Sequence, residues 1–520
     1  MSAPAHQSKP RVASLRVSGR STVALAPDVL DQLASTWDVS GTVAQEMFAR
    51  LAGPDYRRWQ AQAARCGFCA HPIRLHGRVV DGDGAIAFTT ADKPDGVLLK
   101  RCGNRRRSVC PACSFLYAGD MWHLLFAGLA GGDKGVPPGV HDHPMVFATL
   151  TAPGFGPVHS TRSRNGKPQR CRPRREGTLC PHGRPTWCMA IHDDTDHQVG
   201  TPICPDCYDH VAAVLFNWWA PELWRRFTID LYRTLATRLG LGEADFKRTV
   251  RISYAKVAEA QARGVVHFHA IIRLDANGDG WQPPPLRISV ETLSDAVRQA
   301  CERTTLTVPA LDHRVKLRFG PQVDVQPIRH RADLEEGELE PGKVAAYISK
   351  YATKGPDDFG ITTHRLDTQT ARHLHLPEHS VRMIDAACEL AKVDDYRRLS
   401  LWTHTYGFRG HFATHSRRYS TTLTALRAAR STHARRQARR HPDTTDNDDG
   451  DLVDVIEYID ADDDTTLLVG EWRFAGVGYT TDGDARLAAL SEAEAREWRP
   501  YIAQAIREQR RERESWTSEC

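Results

Sequence analysis

The run Val265-Val266-His267-Phe268-His269-Ala270-Ile271-Ile272 sets two imidazoles on either side of one phenyl ring. Side chains alternate along a strand, so His267 and His269 share a face and Phe268 takes the other. Two imidazoles on one face grip a divalent ion once a third ligand arrives. The preceding strand-like run, 249–261, offers Glu259. If Ala262-Arg263-Gly264 close a three-residue hairpin loop with Gly264 left-handed, Glu259 stands directly opposite His267 and diagonal to His269. A two-residue turn would slip the register by one and throw Glu259 to the wrong face. Glu259, His267 and His269 are therefore the expected ligands, with positions left open for water and a phosphate oxygen. Such a set suits Mg²⁺ or Mn²⁺ better than structural zinc. Alone, the His-x-His pattern also fits an ordinary half-buried strand.

A second pattern lies in Lys343-Val344-Ala345-Ala346-Tyr347-Ile348-Ser349-Lys350-Tyr351-Ala352-Thr353-Lys354. On a helix Tyr347 and Tyr351 are i, i+4 neighbours on one face. Tyr-x-x-Lys occurs twice, as Tyr347 with Lys350 and as Tyr351 with Lys354. A tyrosine attacks a phosphodiester only after its phenol, with a pKa near 10, loses a proton. A neighbouring Lys favours the phenolate, and a cation on the phosphate neutralises charge growing on its oxygens. The bland alternative is a core aromatic, an exposed aromatic and a solvated lysine face.

Cysteines form the third pattern. Cys66-x2-Cys69 and Cys110-x2-Cys113 each supply half of a tetrahedral thiolate site, with Cys102 as a competitor. Further on, Cys180, Cys188, Cys204 and Cys207 make a second set, with Cys171, His182, His192 and His197 as alternatives. Paired cysteines in a chain without a secretory leader more often hold metal than each other, so about two structural zinc ions are expected. Arg105–Arg107 and 170–175 are Arg-rich stretches within these regions, placed to touch DNA phosphates.

The elements that must position these groups follow from periodicity. MVFATLT (145–151) reads as a strand, 211–240 as a helix broken or kinked at Pro221, and 249–261 and 265–275 as paired strands. A helix at 289–304, a strand or bent hairpin at 314–328 and a helix at 341–355 follow. The order β-α-β-β-α-β predicts an α+β fold on an antiparallel sheet. Residues 415–442 hold eight arginines and no acid, which marks a basic DNA-binding helix where Arg417 and Arg418 would hold the backbone. Residues 443–464 hold eleven acids and no Lys or Arg, the pattern of a flexible spacer.

Composition bounds the rest. The 520 residues are 41% apolar and 26% charged, ordinary for a globular chain, which excludes wholesale disorder. Lys and Arg total 69 against 64 Asp and Glu, a net +5 too small to decide a partner. No run of about 18 apolar residues occurs, so no transmembrane helix and a cytoplasmic location are expected.

The His-Phe-His strand, the Tyr-x-x-Lys helix and the upstream Thr149-Leu150-Thr151-Ala152-Pro153 together resemble the HUH (His-hydrophobe-His) endonucleases. More narrowly, the chain is similar to rolling-circle replication initiators of actinobacterial plasmids and integrative elements. The phrases at 220–233, 261–275, 347–355 and 406–420 carry that likeness, over about 65–420. The resemblance implies a HUH core that nicks one strand of origin DNA, leaves a 5′-phosphotyrosine link and frees a 3′-OH for synthesis. In similar single-tyrosine initiators the nucleophile precedes x-x-Lys and follows a carboxylate by four residues, so the resemblance implies Tyr351, with Tyr347 at the carboxylate's place, as the first nucleophile. Tyr347 is either a second nucleophile or packing. A host helicase and replication proteins are expected partners, because no P-loop motif occurs in the chain.

The expected layout is an N-terminal extension (1–60), a zinc-ribbon-like region (61–135) and a nuclease core (141–360) with a Cys-rich insertion at 156–207. A basic helical region (361–442), an acidic linker (443–465) and a tail (466–520) complete it. A relaxase or transposase would share the chemistry. A non-catalytic, zinc-stabilised DNA-binding regulator would need the cysteines and basic helix but not the tyrosines facing the histidines.

Overall fold

The computed structural model describes residues 26–80, 82, 84–132, 134–174, 177–329, 339–353, 365–440 and 469–518. The acidic linker and Lys354 lie outside the described residues. The chain divides into two compact units, one of Met1–Gly103, Val109–Cys113 and Arg435–Cys520, the other of Asn104–Ser108 and Ser114–Ala434.

The larger unit is mixed α/β, built on a five-stranded antiparallel sheet. Its strands are β1 (Met145–Leu150), β2 (Val250–Ala260), β3 (Val266–Ala276), β4 (Val323–Pro327) and β5 (Ala413–His415). They lie in the order β4-β1-β3-β2-β5, every pair antiparallel. Strand β3 sits in the middle and is covered on both faces; one face is apolar, and the other carries His267, His269, Arg273 and Asp275 beside Ile271. Phe268, Ala270, Ile272 and Leu274 point into the main core, which helices α1 (His210–Arg238) and α2 (Val290–Arg303) complete. Helix α1 runs unbroken through Pro221. Ile271 and its neighbours Phe147, Ala255 and Val257 point to the opposite face, where α3 (Pro341–Ala352) covers them with Val344, Ala345 and Ile348.

The strand order along the chain is the β-α-β-β-α-β expected from periodicity, with one difference. The segment 314–328 is neither one strand nor a hairpin. Arg314–Arg318 turns back on Thr305–Pro309 as a separate two-stranded ribbon, and only β4 joins the sheet, beside β1. Pro321 and the glycine before it separate the two runs.

The smaller unit draws on both ends of the chain. Strand Ile73–Val80 pairs antiparallel with Val469–Val477 on one side and with Ile86–Thr89 and Leu98–Lys100 on the other. Helix Asp482–Ser518 packs on helix Gly41–Ala52, where Arg50 Nε donates to Asp484 at 2.7 Å and its Nη2 to Asp95 at 2.8 Å. Residues 469–518 therefore share a unit with the N-terminal helices and the first cysteines. Among the described residues no helix is long and apolar enough to cross a membrane.

Candidate functional site

The β2–β3 hairpin has the register that a three-residue turn dictates. Gln261 and Val265 close the loop through Gln261 N–H to Val265 O at 2.9 Å, and Gly264 adopts φ +78°. Glu259 is paired with His267, and Val257 with His269. Both imidazoles and the carboxylate thus face α3. His267 Nε2 lies 2.8 Å from Glu259 Oε2 and His269 Nε2 lies 2.9 Å from the same oxygen. The two Nε2 atoms are 2.8 Å apart.

Neighbouring elements aim these groups. Thr149 on β1 is paired with His269, and its Oγ1 lies 3.1 Å from His269 Nδ1, a contact that orients the ring with Nε2 toward Glu259. Phe147, also on β1, stacks on the His269 ring at 5.8 Å with the planes 9° apart. Asn217 on α1 reaches the far side of the turn. Its Nδ2 donates to Gly264 O at 2.8 Å and to Tyr406 O at 3.0 Å, while its Oδ1 accepts from Val266 N at 3.0 Å. Sequence reasoning missed Thr149 as a ligand-orienting group, Phe147 and Asn217; Thr149 lay in the quoted TLTAP segment, whereas nothing local marks Asn217.

Both tyrosines come to the same face. The ring of Tyr347 lies 5.1 Å from that of His269, and the ring of Tyr351 lies 5.2 Å from it. The two phenols stand 4.7 Å apart at 60°. Tyr347 is 42% exposed. Burial, then its hydrogen bond to Tyr351, hold its phenol above the ordinary tyrosine value. Lys350 Nζ sits 5.6 Å from the Tyr351 ring centre. Arg105 Nη1 donates to Ala352 O at 3.0 Å at the C-terminal end of α3 and stacks on Phe412, so it serves the tyrosine helix in addition to any phosphate role. Arg417 is exposed. Arg418 is engaged by Gly278 O and Asp279, an arrangement that offsets its charge locally.

The donor set fits a divalent cation. Three atoms that carry lone pairs, two imidazole nitrogens and one carboxylate oxygen, converge from one hairpin face. His267 Nδ1 is buried and has no hydrogen-bond partner among the described residues, so its Nε2 is the atom the fold has aimed inward.

The cysteines group differently from the pairing expected. In the smaller unit the converging atoms belong to Cys69, Cys102, Cys110 and Cys113. Sγ–Sγ distances are 3.6 Å for Cys69–Cys113, and 3.7 Å for both Cys69–Cys110 and Cys102–Cys113. Cys66 is displaced: its thiol donates to Leu99 O at 2.9 Å, and burial pushes it up to about 12. Backbone donors also favour the observed set, with Cys102 N–H on Cys69 Sγ at 3.3 Å and Ala70 N–H on Cys110 Sγ at 3.4 Å. In the insertion, Cys180, His182, Cys204 and Cys207 converge. Cys180 and Cys204 are 3.6 Å apart, and His182 Nδ1 lies 3.3 Å from Cys207 Sγ. Cys188 belongs elsewhere, with His159, Cys171 and His192. These Cys and His groups have the ligand types and spacing that hold zinc.

This is a mixed α/β protein that sets two histidines and a carboxylate beside paired tyrosines and carries separate Cys/His clusters. Residues 55–493 match the family described as "RepSA: Replication initiator protein, pSAM2", and the chain belongs to that replication initiator family. It is 38% identical over 479 residues to a replication initiator protein of Streptomyces ambofaciens, covering 90% of this chain and 96% of that one. No solved structure matches it.

Proposed function

We propose that this initiator nicks one strand of its origin by the HUH reaction, with Tyr351 as first nucleophile. The observation that carries this reading is the approach of both phenols to His269, on the face where Glu259, His267 and His269 converge. Glu259, His267 and His269 would hold Mg²⁺ or Mn²⁺. Bound there, the ion supplies Lewis acidity to the scissile phosphate. The chain supplies the rest. The Tyr351 phenolate oxygen bonds to phosphorus, the P–O3′ bond breaks, and the departing 3′ oxygen takes up a proton. Lys350 stands beside the Tyr351 ring, where its ammonium would offset charge growing on the phosphate oxygens. The Tyr347 hydroxyl, hydrogen-bonded to Tyr351, steadies the same oxygen or acts in a second transfer when the displaced strand is rejoined. Origin DNA is the partner, single-stranded at the nick, with a host helicase opening the duplex. The two cysteine-rich sets (Cys69, Cys102, Cys110 and Cys113; Cys180, His182, Cys204 and Cys207) hold structural zinc.

Supercoiled origin DNA incubated with the protein and Mn²⁺ tests this. Open circles bearing covalently attached protein are expected, lost in Tyr351→Phe and retained for the first cut in Tyr347→Phe. Mass spectrometry of the peptide left on DNA identifies the attacking residue. Binding without nicking in either metal would leave the non-catalytic regulator as the reading.

A further inference from the structure

The insertion between β1 and α1 poses a folding problem. Across 159–199 the only buried side chains among the described residues are Cys171 and His192. Of the large apolar side chains in that stretch, Leu179, Met189 and Ile191 are exposed and Trp187 is only half-buried, against Gly177. Ordering some forty residues forfeits about 1–2 kcal/mol of backbone entropy each, and no hydrophobic core is present here to offset it. The segment nevertheless has a defined backbone, with Arg172 and Cys188 exchanging hydrogen bonds at 2.9 and 3.1 Å, and Cys171 N–H reaching Ala190 O at 2.8 Å. Its interior consists of metal-binding side chains.

We propose that His159, Cys171, Cys188 and His192 form a third zinc centre, of Cys2His2 type, distinct from the two cysteine-rich sets. Their ligand atoms all lie within 4.8 Å of one another. His192 Nε2 is 3.2 Å from His159 Nδ1 and 3.4 Å from Cys188 Sγ. Ser160 N–H points at Cys171 Sγ from 3.3 Å, the backbone contact that stabilises a thiolate. His192 Nδ1–H donates to Asp196 Oδ2 at 2.6 Å, and Gln198 N–H holds the other oxygen of that carboxylate at 2.8 Å. A carboxylate behind a histidine fixes the ring and its tautomer, as zinc centres require. With four protein ligands no coordination position stays open, so the centre is structural.

Its place in the fold gives it a job. His159 N–H donates to Thr201 O, and its own carbonyl accepts from Gly200 N–H, both at 2.9 Å. Gly200, at φ +87°, lies so close to the β2–β3 turn that a Cβ would fall 2.4 Å from Ala262 C. The centre therefore holds the base of the insertion against the loop that sets the Glu259–His267 register.

Zinc content of the full-length chain, purified under reducing conditions, tests the assignment. Wild type is expected to carry one more zinc than Cys171→Ala or His192→Ala, with the other ions retained. Asp196→Asn leaves all four ligands in place and guards against misfolded variants. In a chelator competition, one of its zinc ions should be released at about 10–100-fold lower chelator than in wild type. Equal zinc in wild type and Cys171→Ala, unchanged release from Asp196→Asn, or a Cys171–Cys188 disulfide found by thiol-alkylation mass spectrometry would each overturn the proposal.

Discussion

Asn217 is the side chain through which α1 governs the metal-ligand hairpin, and replacing it by Ala should be costly. It is 1% exposed and satisfies three backbone groups, Gly264 O, Tyr406 O and Val266 N. A buried polar group stripped of its partner costs about 1–3 kcal/mol, so three of them sum to roughly 3–6 kcal/mol after some relaxation and water entry. The higher helix propensity of Ala returns less than about 0.7 kcal/mol, too little to change the outcome. Urea unfolding followed by tryptophan fluorescence should show a lower midpoint at an unchanged slope. Hydrogen exchange localises the effect: Val266 N–H should exchange at least about 100-fold faster, the equivalent of about 3 kcal/mol. A loss below about 1 kcal/mol, with Val266 protection intact, would refute the bracing role.

Three further outcomes are expected. Thr149→Val removes the Oγ1 partner of His269 Nδ1 and should weaken Mn²⁺ binding about 10–100-fold by isothermal titration, whereas unchanged affinity would contradict an orienting role. Cys102→Ser should lose one zinc by elemental analysis and Cys66→Ser none; the opposite result would restore the Cys66 pairing. Asp275 is wholly buried. Burial raises its carboxyl, but hydrogen bonds from His143, Arg273 and Ser253 outweigh that and hold it below the usual carboxylate range. Its contribution is present above the unfolded pKa of about 4 and is lost as pH falls toward the lower folded value. Asp275→Asn leaves Arg273 buried without its counter-charge, at about 3–5 kcal/mol, and should flatten the acid side of a melting-temperature profile. Parallel profiles for variant and wild type would sink this.

What could be read in advance was local. The hairpin register follows from strand alternation and one left-handed glycine, so Glu259, His267 and His269 were legible together. The helical spacing of Tyr347 and Tyr351 put both phenols on one face for the same reason. Choices between near neighbours were not legible. Cys66 and Cys102 both suit a knuckle, and only backbone placement gives Cys66 to Leu99 O. Cys188 sits within reach of several partners in the text, and the fold joins it to His159, 29 positions upstream. Asn217 is a polar residue in an apolar helix, whose reason is visible only beside the turn it holds. The pairing of Val469–Val477 with Ile73–Val80 links opposite ends of the chain, which no local pattern encodes.

That last pairing orders events at the ribosome. Ile73 emerges early, yet its partner Val477 is translated roughly 400 residues later, tens of seconds at usual elongation rates. Until then Ile73–Val80 lacks its neighbour on one side, and the helices at the front of the chain lack the one that closes over them. The larger unit needs none of that late segment. It is complete by Ala434, so during synthesis the sheet bearing the tyrosine–histidine face can fold first. A chain released short of residue 469 would keep that sheet but leave the early strand edge bare, ready to pair with another molecule.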